Sequence, residues 1–167
     1  MKNIILVGMM SSGKSTLGKK LARYLGYRFV DLDKLIEHDQ GMDIPSLFSQ
    51  KGETYFREIE SRILKQTIPN NRLVLASGGG TPCFYDNMDF IKNSGVSVFL
   101  DVPASELARR IENHGKDDRP ILSGATSIEA ELTKKIEERR PYYAQADVTI
   151  EGKTEVTELV EAISSFL

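Results

Sequence analysis

The sequence predicts an α/β protein in which helices cover both faces of a parallel β-sheet. Short apolar runs alternate with longer stretches of helical periodicity along the 167 residues, as in consecutive β–α units. A glycine-bounded loop joins the first apolar run to the first helical stretch, a context typical of parallel sheets. No repeat, linker or low-complexity segment divides the chain, so we expect one domain over residues 1–167.

The predicted strands are short and mostly apolar, as expected for a sheet that is buried on both faces. In order they are Ile4–Val7, Arg28–Asp31, Arg72–Ser77, Val96–Leu100 and Val148–Ile150. Three consecutive glycines, Gly78–Gly80, stop the third strand.

The predicted helices carry apolar residues at three- and four-residue spacing, which gives each helix a buried stripe. They are Lys14–Leu25, a helix beginning with Leu32–His38, Asp43 to about Gln66, Tyr85–Asn93, Ala104–Glu112, Ile128–Tyr143 and Thr154–Phe166. Gly26 ends the first helix, because glycine readily adopts the left-handed conformation found there. We expect a break in the third helix at Gly52 and an interruption of the sixth at Pro141.

The composition is that of an ordinary globular protein with no strong charge bias. Hydrophobic residues make up 40% and charged residues 28%, and the formal net charge is −2. This balance gives no basis for binding nucleic acid or an anionic membrane, and no apolar segment is long enough to span a bilayer. We expect a cytoplasmic protein.

The cysteine and histidine content does not indicate metal or redox chemistry. Cys83 is the single cysteine of the sequence and cannot form an intrachain disulfide. We expect its thiol to be packed or without a function, rather than a nucleophile. His38 and His114 are too few and too far apart in sequence to suggest a metal site, and we expect both at the surface.

The most specific pattern in the chain is Gly8–Ser15, which matches G-x-x-x-x-G-K-[ST] at every position. Its backbone N–H groups and the following helix N-terminus form an anion cradle. Lys14 would reach the β- and γ-phosphates, and the Ser15 hydroxyl would ligate Mg²⁺. The predicted nucleotide-binding residues of this loop are Ser11, Ser12, Gly13, Lys14, Ser15 and Thr16. A glycine-rich turn with a solvated lysine is the alternative.

Two aspartates, Asp31 and Asp33, close the second strand, where ligands bind in open α/β sheets. Alternation along a strand would point both side chains the same way, so that one could serve a metal and the other a substrate hydroxyl. The pair could equally cap the helix that follows.

Several basic and glycine residues also have two interpretations. Arg57 and Glu60 could form a surface ion pair at i, i+3 spacing. The Gly78–Gly80 run favours close approach of a ligand to the backbone, although a flexible turn is possible. Arg119 and Arg139, taken singly, would be exposed basic residues.

In this order the features resemble the shikimate kinase family along nearly the whole chain. The resemblance rests on Gly8–Ser15, Asp31-x-Asp33, Ile44-x-x-Leu47-Phe48, Gly52-Glu53-x-x-Phe56-Arg57-x-x-Glu60, Gly78–Gly80, Arg119-Pro120 and Arg139-x-Pro141-x-Tyr143. The loop alone would indicate only a P-loop protein. The aspartates, arginines and glycines narrow the resemblance to one family of small-molecule kinases.

The resemblance implies transfer of the γ-phosphate of ATP to the 3-hydroxyl of shikimate, a step toward chorismate and the aromatic amino acids. It also implies the three-layer P-loop fold of nucleoside monophosphate kinases, with five parallel strands in the order 2-3-1-4-5 and a mobile lid at about residues 113–125. The shikimate-binding region would span about residues 32–61. ATP and Mg²⁺ would be required, and we expect a monomer.

The same resemblance assigns roles to particular residues. Asp33 would bind the attacking hydroxyl and could act as its base, and Arg57 and Arg139 would hold the carboxylate. Gly78, Gly79 and Gly80 would line the substrate site through their backbone. Asp31 and Ser77 would hold Mg²⁺ through water. Lys14 and the lid residue Arg119 would act on the phosphates, and Arg110 would lie near the adenine, as would Thr154–Val156.

Two other functions remain compatible with parts of the sequence. A gluconate-type kinase would share the loop, the size and the lid, but would leave Arg57, Arg139 and the triple glycine unexplained. A non-catalytic relative would be expected to lack Lys14, Asp33 or Arg119, and all three are present.

Overall fold

A parallel sheet forms the centre of the fold in the computed structural model, which describes residues 2–68, 72–113 and 127–167. Its strands are β1 (Asn3–Val7), β2 (Arg28–Asp31), β3 (Leu73–Ala76), β4 (Gly95–Asp101) and β5 (Val148–Glu151). They lie in the order β2-β3-β1-β4-β5, and every neighbouring pair is parallel. The predicted sheet and the implied strand order are confirmed.

The helices of the described residues follow the predicted sequence of elements. They are α1 (Lys14–Leu25), α2 (Leu32–Gln40), α3 (Ile44–Thr67), α4 (Asn87–Ser94), α5 (Ala104–Asn113), α6 (Ile128–Tyr143) and α7 (Val156–Ile163). Short 3₁₀ turns at Thr81–Cys83 and Ser164–Phe166 were not predicted. None of these helices is both long enough and apolar enough to cross a bilayer.

The central strands β1, β3 and β4 bury both of their faces, because alternate residues point into different hydrophobic clusters. Ile5 and Val7 of β1 pack with α2, α3, α4, α5 and α6 on one face. Ile4 and Leu6 pack with α1 and α7 on the other face. The sheet is therefore the middle layer of three.

Two predicted irregularities have different outcomes. Gly52 has φ 86° and ψ 167°, so α3 consists of two helical segments that meet at a kink, as expected. The prediction for Pro141 is wrong, because α6 continues through it to Tyr143. A proline so close to a helix end removes a single main-chain hydrogen bond. The last turn is held by the Ala144 N–H, which donates to the Arg140 carbonyl at 2.8 Å, and by the fully buried Tyr143.

The carboxyl ends of β1, β2 and β3 meet at one edge of the sheet. The loop Gly8–Gly13, the start of α2 and the Gly78–Gly80 segment all follow these ends directly. This edge is where ligands bind in open α/β sheets. The predicted lid falls almost wholly on residues 114–126, so Arg119 lies outside the described residues.

Candidate active site

The loop after β1 wraps tightly around a small space at the N-terminus of α1. Gly8 has φ 146°, and a Cβ there would lie 2.8 Å from the Leu100 carbonyl oxygen, so only glycine fits. Lys14 is only 8% exposed, and its Nζ donates to the carbonyl oxygens of Gly8 (2.6 Å) and Met9 (2.8 Å). The alternative of a glycine-rich turn with a solvated lysine is wrong, because Lys14 is buried. The ammonium group lies against the loop.

The Ser12 hydroxyl gives a second indication of an anion cradle. Its Oγ is buried and has no hydrogen-bond partner within the described part of the chain. Buried polar groups in native proteins are nearly always paired, so the Ser12 hydroxyl fits a loop that binds an anion.

Asp31 uses its two carboxylate oxygens for different purposes. Oδ2 accepts a hydrogen bond from the Ser15 hydroxyl at 2.8 Å, and Oδ1 accepts from the Lys34 N–H at 3.3 Å as the N-cap of α2. The capping and metal-site interpretations are therefore compatible.

The strand-alternation argument for Asp31 and Asp33 is wrong, because β2 ends at Asp31 and Asp33 lies in the first turn of α2. The two side chains nevertheless line one cleft. The other residues of that cleft include Lys14, Ser15 and Ser77. The Ser77 hydroxyl donates to the Leu6 carbonyl at 2.9 Å.

A pocket of about 370 Å³, including its open mouth, lies beside this cleft. Its walls combine apolar side chains, two arginines and the triple glycine: Asp33, Ile44, Phe48, Phe56, Arg57, Glu60, Gly78, Gly79, Gly80 and Arg139. Apolar walls with a few convergent polar groups are typical of small-molecule sites.

Arg57 is buried in this pocket, at 5% exposure, so the interpretation as a surface ion pair is wrong. Nη1 pairs with Glu60 Oε1 at 3.0 Å, and Nη2 pairs with Glu53 Oε2 at 3.3 Å. Nε is buried and has no hydrogen-bond partner among the described residues. Because Arg57 also lines the pocket, its side chain can contact a ligand bound there.

The surroundings of the Arg57 guanidinium fix its plane. It lies 4.1 Å from the centre of the Phe84 ring and 5.1 Å from that of Phe56. A Cβ at Gly80 would lie 2.7 Å from both terminal nitrogens. A side chain at position 80 would therefore displace the guanidinium from this position. Gly78–Gly80 are all buried, which argues against a flexible turn.

Glu60 is 1% exposed and belongs to the same polar cluster. Burial raises the pKa of its carboxyl group, whereas Arg57 and the Thr81 hydroxyl favour the ionised form. The Thr81 Oγ1 donates to Glu60 Oε2 at 2.7 Å.

Arg139 and Tyr143 bring α6 into the site. Arg139 is 6% exposed rather than a solvated basic residue, and its Nη1 lies 3.7 Å from Met9 Sδ in the phosphate loop. The Tyr143 hydroxyl donates to the Gly79 carbonyl oxygen, and its ring packs on Phe99 at 5.0 Å.

A third cavity lies on the other side of the phosphate loop. It is lined by Ser12, Gly13, Thr16, Leu17, Lys20, Leu100, Arg110 and residues 152–156. Arg110 donates to the Ser11 carbonyl at 2.9 Å and to Glu106 at 3.1 Å. The structure thus brings Arg110 and Thr154–Val156 together beside the loop.

The three cavities form a row. Asp33 lines both the arginine-containing pocket and the phosphate-loop cleft. Gly13 and Thr16 line both the phosphate-loop cleft and the third cavity. A nucleotide laid along the loop would point its terminal phosphate at Asp33.

Some residues of this site had no predicted role. Thr81 follows the triple glycine directly and Phe84 lies three residues further on, and their closeness to the glycines in sequence is the only signal that pointed to them. Tyr143 belongs to the family pattern but was given no function. Their contributions depend on contacts between elements far apart in sequence.

Cys83 is expected to react slowly with alkylating reagents. Burial raises the pKa of its thiol to about 11 from 9.0, and only the thiolate reacts. Below pH 11 the raised pKa lowers the thiolate fraction, so iodoacetamide at pH 8 should modify the folded protein roughly a hundredfold more slowly than the denatured protein. Equal rates, followed by mass spectrometry, would contradict this protection.

Residues 10–167 match the family model described as shikimate kinase. A shikimate kinase of Parabacteroides distasonis is 40% identical over 160 residues, which cover 95% of this chain and 92% of that protein.

Solved structures agree with the family match. A shikimate kinase from Acinetobacter baumannii in complex with shikimate superposes with a TM-score of 0.91 at 34% identity, covering 100% of this chain and 96% of that one. A gluconokinase from Sinorhizobium meliloti has a TM-score of 0.57 at 18% identity, covering 96% of this chain and 88% of that one, which indicates a shared fold alone.

Proposed function

The chain belongs to the shikimate kinase family, and from that premise we propose that it transfers the γ-phosphate of ATP to the 3-hydroxyl of shikimate with the residues of the three adjoining cavities. The observation that carries the proposal is the position of Asp33. It lies where a pocket with two buried arginines opens onto the phosphate loop.

The carboxylate of shikimate would bind Arg57 and Arg139. Both side chains are almost fully buried, and Arg57 Nε has no partner among the described residues. Guanidinium groups present planar donors that match a carboxylate, and a buried cation binds an anion strongly because water does not compete. The apolar walls formed by Ile44, Phe48 and Phe56 would contact the ring of shikimate.

The reacting hydroxyl would be accepted by Asp33, which orients it toward the phosphate and can take its proton. Lys14 would neutralise charge on the migrating phosphoryl group. Enzymes catalyse phosphoryl transfer mainly by positioning the reactants and by neutralising the charge that develops. Arg119, outside the described residues, is proposed on sequence grounds to add a cation to the phosphates.

The residues beside the loop also suit Mg²⁺. Ser15 Oγ and Asp31 Oδ2 lie 2.8 Å apart in a cleft shared with Ser77, a set of hydroxyl and carboxylate oxygens of the kind that this ion prefers. Bound there, the ion would neutralise phosphate charge. The cavity around Arg110 and residues 152–156 would take the adenine. We further propose a cytoplasmic monomer.

A coupled ADP-release assay tests the function directly. Shikimate, gluconate, nucleoside monophosphates and a blank without acceptor are compared under the same conditions. ADP release that depends on shikimate is the expected result. Equal or faster release with gluconate would favour the gluconate-type alternative, and no release with any acceptor would favour a non-catalytic relative.

Replacing Arg57 with alanine is expected to weaken shikimate binding by about 2–3 kcal/mol, because the ligand carboxylate loses a buried charge partner. The KM for shikimate should rise roughly 30- to 150-fold. The KM for ATP should stay within about twofold, since Arg57 does not line the phosphate-loop cleft.

Arg62→Ala is the matched control for this variant. Arg62 lies on the same helix, is half-exposed and pairs with Asp39 at 2.9 Å, so its loss should leave both KM values unchanged. An equal rise in both KM values for Arg57→Ala would mean that Arg57 supports the fold rather than the substrate.

A further inference from the structure

The hydroxyl of Thr81 joins the carboxylate that holds Arg57 to the backbone of the triple glycine. Thr81 is 0% exposed. Its Oγ1 donates to Glu60 Oε2 at 2.7 Å and accepts from the Gly78 N–H at 2.9 Å. Because it does not line the pocket, Thr81 cannot touch a ligand there directly.

The Glu60 carboxylate is held at both ends. Oε2 is fixed by Thr81, and Oε1 is paired with Arg57 Nη1 at 3.0 Å. The χ3 torsion of glutamate is usually broadly distributed. Here the hydrogen bond from Thr81 to Oε2 restricts rotation of the carboxylate about that torsion. The Thr81 hydroxyl therefore acts together with Phe84 and Phe56 in orienting the guanidinium.

The same hydroxyl acts on the glycine segment beside Asp33. A Cβ built at Gly78 would lie 3.0 Å from Thr81 Oγ1 and 3.0 Å from Asp33 Oδ1. Thr81 and Asp33 thus contact the same glycine. A shift of Gly78 would change the wall of the pocket beside Asp33.

We propose that Thr81 is a positioning residue for shikimate binding, which acts through Glu60 on Arg57 and through the Gly78 N–H on the glycine backbone. This inference rests on the proposed function, because it concerns the substrate carboxylate that Arg57 would bind. Thr81 itself makes no contact with substrate.

The backbone of Thr81 is anchored independently of its hydroxyl. Its carbonyl oxygen accepts from Asn87 Nδ2 at 2.9 Å, and Asn87 Oδ1 accepts from the Ser61 hydroxyl at 2.7 Å. Valine at position 81 would keep the shape and these backbone contacts. It would leave the Gly78 N–H and Glu60 Oε2 without their partner, and unpaired buried groups of this kind are costly.

Thr81→Val is expected to raise the KM and the Kd for shikimate about tenfold and to leave the KM for ATP within about twofold. Thr81→Ser keeps the hydroxyl and should restore the shikimate KM to within about threefold of the wild type. A rise in the shikimate KM without a rise in the ATP KM indicates that Thr81 positions the shikimate site. A general loss of stability would affect both substrates.

Ser97→Ala is the matched control, because Ser97 makes the same pair of hydrogen bonds elsewhere. Its buried Oγ donates to Asp147 Oδ2 at 3.2 Å and accepts from the Asp147 N–H at 2.9 Å. This variant should lower the melting temperature without changing either KM. If Thr81→Val changes the shikimate KM no more than Ser97→Ala does, the proposal is overturned.

A double variant tests whether Thr81 acts through Arg57. In an Arg57→Ala background, adding Thr81→Val should raise the shikimate Kd by less than about threefold. The Arg57 guanidinium, through which Thr81 mainly acts on the substrate, is already missing in this background. A full further tenfold increase would overturn the route through Arg57.

If Thr81→Val does not fold, Thr81→Ala gives the same comparison, because alanine also lacks the hydroxyl. If the wild type shows no shikimate-dependent ADP release, the proposed function fails. If the wild type is active and Thr81→Val behaves like Ser97→Ala, only the inference fails.

Discussion

Asparagine in place of Asp33 is expected to reduce kcat by about 10²- to 10⁴-fold, the usual contribution of a positioned acid or base. The amide keeps an acceptor oxygen for the substrate hydroxyl but cannot take its proton. Shikimate binding should therefore change little, because Arg57 and Arg139 supply the charge that holds the ligand. Steady-state kinetics together with a binding measurement would separate the two effects.

Asp39→Asn is a suitable control for this variant. Asp39 lies near the end of the same helix and contacts Arg62 and Gln40 at the surface, so its replacement should leave kcat unchanged. Normal turnover by Asp33→Asn would mean that Asp33 is no base and that its place in the pocket serves binding or the fold.

Alanine in place of Lys14 is expected to lower kcat by about 10²- to 10³-fold, because the transition state loses a cation beside the migrating charge. The structure adds a second effect. Lys14 is buried and donates to two carbonyl oxygens of the loop, so some loss of thermal stability is also expected. The Kd of shikimate in the absence of nucleotide should be retained.

Two measurements separate the role of Lys14 in catalysis from its role in the loop. The nearby Lys19, which is exposed and lies 5.9 Å from the Phe29 ring, provides the control variant Lys19→Ala with normal turnover. Folded Lys14→Ala protein that binds shikimate but transfers no phosphate would support the assignment. Near-normal turnover would contradict it.

Features encoded by consecutive residues could be predicted from the sequence. The five apolar runs and the phosphate loop depend on side-chain periodicity and on glycine spacing, which are local properties. The kink at Gly52 is of the same kind, because it follows from one residue type in a helical stretch. The strand order came from the family resemblance and not from the pattern itself.

Burial could not be predicted in the same way. The Arg57–Glu60 spacing is that of an ordinary surface pair, and only the packing of α3 against the triple glycine and Phe84 makes it a buried one. Pro141 was expected to interrupt its helix, but the buried Tyr143 holds the last turn in place. In both cases contacts between distant segments outweighed the local preference.

By itself the sequence determined the α/β class, the phosphate loop and, through its resemblance, the residues proposed to act on shikimate. Only the tertiary structure decided that Thr81 joins Glu60 to Gly78 and that Asp33 lies at the junction of two cavities. The physical reason is that periodicity and turn chemistry act within a few residues. Hydrogen bonds, burial and cavities arise where elements from different parts of the chain meet.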